Sequence, residues 1–150
     1  LAAFCTGSWA TSAETDAGSG SWEAAACRCL QDLEILEPDW LALLKQWEQT
    51  PELPGFAPQD PEKLERIAVY FAFRYLLKAV NDGDLLGRAQ FCALGVLVTD
   101  RLSRFAGLPE ALRLFSREIE HNGDNLDTLL EQFWQTEGLS LSALLAAFGG

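Results

Sequence analysis

Hydrophobic residues recur along this chain at helical spacing, and no stretch alternates with the two-residue period of a strand. From Trp22 to Leu36, the positions Cys29, Leu30, Leu33 and Leu36 form one apolar stripe, with Ser21 as the expected N-cap. Glu37-Pro38-Asp39 restarts the chain, and Trp40, Leu43, Leu44 and Trp47 repeat at i, i+3, i+4, i+7, the signature of one buried face. Thr50 to Asp60 holds Pro51, Pro54 and Pro58 and reads as a connecting loop. A third helix is expected from Asp60-Pro61 to about Asn81. It is apolar around much of its girth (Ile67, Val69, Tyr70, Phe71, Phe73, Leu76, Leu77), so it is expected in the centre of a bundle.

Asp82-Gly83-Asp84 divides that helix from the next. Gly83 suits a left-handed helix end, and Asp84 suits the cap of the following helix. The fourth helix, Leu85 to about Phe105, is also widely apolar. Gly95 in its middle weakens it locally and permits a close helix contact. Gly107-Leu108-Pro109 breaks it. A fifth helix then runs from Pro109 to His121, and Asn122-Gly123 stops it. Asp124 is the expected cap of a sixth helix, Asn125 to Thr136, and a short last one covers Ser140 to Phe148. The fold class is therefore all-α: a single bundle of six to seven helices with two central apolar ones, the third and the fourth. Residues 1–21, rich in Ala, Gly, Ser and Thr, read as a flexible N-terminal segment before a helical domain over 22–150. No internal repeat points to a solenoid.

Composition narrows the function classes. At 150 residues, 49% hydrophobic, the chain suits one packed domain. Its net charge of −11 argues against broad binding to nucleic-acid backbones. That charge is uneven: residues 1–60 carry 10 acidic and 2 basic side chains, residues 61–109 carry 5 and 7, and residues 110–150 carry 7 and 2. Only the middle third offers an anionic ligand a positive surface. A helix-turn-helix around Gly107 is disfavoured, because Arg113 and Arg117 there face Glu110, Glu118 and Glu120. The longest apolar runs fall well short of the ~20 residues that span a bilayer, so no membrane segment is expected and a cytoplasmic setting is the default. The chain has no Met and starts at Leu1, which reads as a piece of a longer protein. Cys27 and Cys29 lie two apart, roughly 200° around a helix, so one metal does not easily take both. Buried or idle thiols are the expected reading, and no metal site is expected.

Two clusters can carry chemistry. Arg113, Arg117 and His121 recur every four residues on one helix face, and Glu118 lies three before His121, the chain's single histidine. Such a face can orient a substrate or move a proton, but spacing alone favours a solvated helix end with ion pairs. Arg74 and Lys78 lie four apart on an otherwise apolar helix, so their charges must face solvent, a carboxylate or a ligand. Asp82 and Asp84 read as caps rather than a cation site. No phosphate loop, nucleophile elbow or zinc-binding histidine pair is present in the sequence.

The segment Tyr70-Phe71-Ala72-Phe73-Arg74-Tyr75-Leu76-Leu77-Lys78 through Asp82-Gly83-Asp84-Leu85-Leu86 resembles the stretch of bacterial flagellin lysine N-methylases that reads approximately "YFxFRYFLKAVYDGDLL". Leu114-Phe115-Ser116-Arg117-Glu118-Ile119-Glu120-His121-Asn122, with Asn125-Leu126, is similar to that family's "LYSREIEHSxxNLE". Leu33 to Leu36 with Trp40 resembles its leucine-rich stretch before a tryptophan. Together these cover about residues 30–135. The resemblance implies a C-terminal helical portion of an enzyme that methylates lysines of flagellin, with S-adenosylmethionine as donor. Members carry an N-terminal cysteine cluster thought to hold a metal or iron–sulfur centre, whose spacing Cys5, Cys27 and Cys29 do not reproduce, so this chain alone is not expected to be active. By the same resemblance Arg74, Asp82, Asp84 and Arg117 become candidates for binding substrate or donor, and Glu118, Glu120 and His121 for catalysis. Arg74 or Arg117 can hold a carboxylate of the donor, and Glu118, Glu120 or His121 can bind or deprotonate the lysine ammonium. The alternative is a non-catalytic helical domain that binds another protein.

Overall fold

A computed structural model describes residues 21–50, 58 and 60–149, and among them every regular element is helical. The elements are α1 (Ser21–Asp32), α2 (Pro38–Glu48), α3 (Pro61–Phe71), a first π-turn (Ala72–Leu76), α4 (Ala79–Asp82), α5 (Leu85–Ala106), α6 (Leu108–Phe115), a second π-turn (Ser116–Glu120), α7 (Gly123–Gln135), a 3-10 turn (Glu137–Leu139) and α8 (Leu141–Phe148). The flexible segment expected at 1–21 lies outside the described residues, apart from Ser21, where α1 begins.

Of the two helices expected at the centre, α5 takes that place. It is buried without a break from Gln90 to Leu102 and packs against α2, α3, the first π-turn, α6, α7 and α8. A helix surrounded in this way needs apolar residues all round, which is why its sequence shows no single stripe. Its middle meets a group of rings: Phe71, Tyr75, Phe91 and Phe115, with the Tyr75 and Phe91 centroids 4.6 Å apart and those of Phe71 and Phe115 5.7 Å apart. Gly95 lies against Phe71 of this group. A Cβ there would lie 3.0 Å from Phe71 Cε2.

The third expected helix is only half central. Leu64, Phe71 and Tyr75 face the core, but Phe73 (67% exposed), Leu77 (60%) and Val80 (84%) face outward. The cause is the π-turn: its i→i+5 bonds fit one more residue into the turn, so the apolar positions before and after it no longer share a face. Helix order then resumes for one short turn and ends at Gly83, at φ +73°, as its sequence predicts.

Two further differences have local causes. The stripe from Cys29 to Leu36 was expected to be one helix, yet α1 stops at Asp32 and Leu36 is exposed. Backbone groups of Glu34, Leu36 and Glu37 bond instead to side chains from the second π-turn and α7, so tertiary partners replace helical ones. The cap of α7 is Asn122, whose side-chain oxygen accepts from the Asn125 N–H at 3.2 Å, rather than Asp124. Elsewhere Asp60, Asp84 and Ser140 cap α3, α5 and α8.

Candidate functional site

The seven sequence candidates fall into separate places. Asp82 and Asp84 hold the α4–α5 corner. Asp84 Oδ1 accepts from the Gly87 N–H at 2.9 Å, the bond of an N-cap. Asp82 accepts from the Asp84 N–H and pairs with Arg88 at 2.8 Å, and these two contacts hold its carboxyl below the ordinary aspartate range. Both aspartates thus have structural work, in line with the capping reading.

Arg117 lies on the surface. Its Nε pairs with Glu37 at 3.1 Å, and Arg113 joins the same carboxylate while also pairing with Glu110. His121 closes the second π-turn, and its exposed side chain makes no hydrogen bond or ion pair with a described residue. Glu118 does not reach toward it. The Glu118 side chain is fully buried and turns the other way, accepting from the Leu36 N–H at 3.1 and 2.9 Å and from the Glu37 N–H at 2.6 Å. It sits at the N-terminus of α2, where Pro38 supplies no N–H and the helix dipole favours an anion. Beside it Asn125 clamps the same segment, accepting from the Glu34 N–H and donating to the Glu34 and Glu118 carbonyls. With its oxygens committed to these bonds, Glu118 is a brace for the 33–37 connection.

Arg74 and Glu120 do come together, one from each π-turn. Glu120 Oε1 accepts from Tyr75 Oη at 2.8 Å and from Tyr70 Oη at 3.0 Å, and Arg74 Nε lies 3.8 Å from the same oxygen. Arg74 Nε also donates to Tyr75 Oη at 3.2 Å. The side chain of Glu120 is 3% exposed and that of Arg74 38%, so a buried anion is met by a cation at the rim. Burial, reinforced by the neighbouring carboxylate, pushes the hydroxyls of both Tyr75 and Tyr70 above the ordinary tyrosine range, so both stay protonated and donate. Lys78 Nζ is 5.6 Å from the centre of the Tyr75 ring.

The two tyrosines were not among the candidates read from sequence. Five residues apart, they would stand roughly 140° from each other on an α-helix. The π-turn between them lets both hydroxyls reach one carboxylate. The available signal was that the chain's only two tyrosines flank Arg74 in a single motif.

Cys27, Cys29 and Cys92 are buried thiols. Cys29 Sγ lies 3.9 Å from Thr136 Oγ1, while Cys27 lines a groove between α1 and α2, so the two sulfurs face different surroundings. No group of three or more His, Cys, Asp or Glu among the described residues is arranged to hold a metal, and no helix there is long and apolar enough to cross a membrane. The α1–α2 groove encloses about 320 Å³ beside Glu23, Arg28, Trp47 and Glu48, and a second cavity of about 220 Å³ lies beside Asp60, Leu64, Asp100 and Gly107. Neither is lined by a residue of the Tyr70–Arg74–Tyr75–Glu120 cluster. No family model, no curated protein and no solved structure matches this chain.

Proposed function

We propose that this chain is the helical part of a protein-lysine N-methyltransferase of the flagellin lysine N-methylase kind, with S-adenosylmethionine as methyl donor and flagellin as acceptor. One observation carries the reading: the two segments that resemble that family, 45 to 50 residues apart at their contacts, meet through Tyr70, Tyr75 and Glu120. Each of those segments also forms a π-turn, a rare element that concentrates at functional sites.

The donor, when bound, supplies an electrophilic methyl group on a sulfonium. The two cavities described above do not reach Glu120. The reading therefore assigns the amine to this junction and leaves the donor to other parts of the protein. Glu120 draws the acceptor's ammonium and accepts one of its protons, which frees the nitrogen lone pair for the methyl group, while Tyr70 and Tyr75 fix the carboxylate in place and the enclosed setting strengthens the attraction relative to bulk water. Asp82 and Asp84 hold the α4–α5 corner, and Glu118 holds the 33–37 connection. A cytoplasmic setting goes with this reading.

The test is incubation of flagellin and S-adenosylmethionine with this chain and with the product of the full reading frame that encodes it, followed by mass spectrometry of the flagellin lysines. Methylated lysines with the full product, lost in Glu120→Gln, are the expected result. No added methyl with the full product would overturn the reading. The exposed apolar residues Phe73, Leu77 and Val80 favour a second reading, a non-catalytic domain that docks another protein. A stable complex with flagellin and no methylation would select it.

A further inference from the structure

We infer that the Tyr70–Tyr75–Glu120 junction is a binding site for alkylammonium groups, and that Arg74 is the resident cation that a ligand displaces. The inference rests on the proposed function only in naming a lysine side chain as the natural ligand.

Three features point to an exchangeable occupant. The contact of Arg74 with Glu120 is made by Nε alone, at 3.8 Å, and its two terminal guanidinium nitrogens hydrogen-bond to no described residue. A guanidinium that is a permanent partner of a buried carboxylate uses its fork and makes two short parallel bonds. Here the fork makes no bidentate pair with Glu120 and lies partly in solvent. Second, every contact of Glu120 falls on Oε1, while Oε2 makes no hydrogen bond to a described residue. Oε2 and the two phenol oxygens give three acceptor atoms within one small space. A primary ammonium carries three N–H donors on a compact head and fits that set better than a planar guanidinium does. Third, the rings offer the cation a π-face. The Arg74 guanidinium carbon is 6.0 and 5.7 Å from the Tyr70 and Tyr75 centroids, and the ammonium of Lys78 already lies 5.6 Å from Tyr75. Solvent reaches the junction through Tyr70 and Arg74, both exposed. Because the acceptors ask for N–H donors, primary and monomethyl ammonium ions bind better than trimethyl ones.

The chain's only two tyrosines are both in the site, so ring-labelled tyrosine gives an NMR spectrum that reports on nothing else. Butylammonium chloride titrated into the protein, against equal sodium chloride, is expected to move both tyrosine signals along a saturating curve, and butyltrimethylammonium to bind more weakly. Removing the resident cation with Arg74→Ala is expected to tighten butylammonium binding about fivefold or more, because the competent state is no longer masked. Glu120→Gln is expected to abolish it. Tyr70→Phe, at a half-exposed position, is expected to weaken it about threefold or more, and serves if Glu120→Gln does not fold. Unmoved tyrosine signals, or Arg74→Ala binding no tighter than the parent, overturns the inference. Saturable butylammonium binding without methyl transfer by the full product would keep this site and sink the enzyme reading; methyl transfer without binding would do the reverse.

Discussion

Replacing Glu118 tests whether its carboxylate braces the fold. Its oxygens accept from two backbone N–H groups, Leu36 at 3.1 and 2.9 Å and Glu37 at 2.6 Å. Glu118→Ala leaves both donors without a partner. Hydrogen bonds to a charged group contribute roughly 1.5–3 kcal/mol each. Leu36 and Glu37 lie partly in solvent, so water replaces some of the loss and the lower figure applies to each. The sum is about 3 kcal/mol, or a fall in melting temperature on the order of 10 °C for a domain of this size. Glu118→Gln keeps the volume and one accepting oxygen and is expected to cost about 1 kcal/mol. Urea unfolding followed by tryptophan fluorescence measures both, since Trp40 stands in the first turn of the helix that this side chain supports. Glu131→Ala, on an exposed part of α7, is the control and should change stability by less than about 0.5 kcal/mol. If Glu118→Ala loses less than about 1 kcal/mol, the carboxylate does not brace the 33–37 connection and the structural assignment of this residue fails.

Gly95→Ala sets a helix-propensity gain of about 1 kcal/mol against a methyl placed 3.0 Å from the fully buried Phe71 ring, and overpacking is expected to win by about 1 kcal/mol; a raised melting temperature would contradict this. Burial pushes the Asp100 carboxyl above the ordinary aspartate range, with Arg104 and Arg101 opposing the shift. The folded state therefore binds that proton more tightly than the unfolded chain, ionisation costs stability at neutral pH, and the cost is relieved as pH falls through the folded value. Wild type should gain stability relative to Asp100→Asn as pH falls from neutral toward the ordinary aspartate range, and a pH-independent difference in melting temperature would refute the assignment. Burial pushes the thiols of Cys27 and Cys92 up to about 12. In a background with Cys5 and Cys29 replaced by Ser, neither should react with a disulfide reagent at pH 8 until denaturant is added.

Periodicity made most of the helices legible. Trp40, Leu43, Leu44 and Trp47 are buried as their spacing demands, and Asp60 and Asp84 cap as their positions suggest. What was illegible arises from contacts between distant segments. Nothing local says that helix should stop at Asp32, because the reason is Glu118 and Asn125 far along the chain. The π-turns leave no mark in composition. They only blur the phase of the hydrophobic pattern, which made the stretch from Ile67 to Leu77 look apolar all round when its outer residues face solvent. The same blurring concealed Tyr70 and Tyr75 as partners of Glu120. Arg74 stood out as a charge on an apolar helix, but only the family resemblance put it beside Glu120 as a site candidate, since spacing alone does not bring the two motifs together.

The brace at Glu118 also orders events in time. Its partners Leu36 and Glu37 precede it by 82 and 81 residues, and Asn125 reaches back 91 residues to Glu34. During synthesis, α1 and α2 leave the ribosome long before either side chain exists. Their connection must wait, with open amides, until the second π-turn arrives. Contacts of such span close late and slow folding. The connection between α1 and α2 thus takes its final shape from the last third of the chain, and a ribosome stalled before Glu118 would expose a helix pair still lacking its fastening.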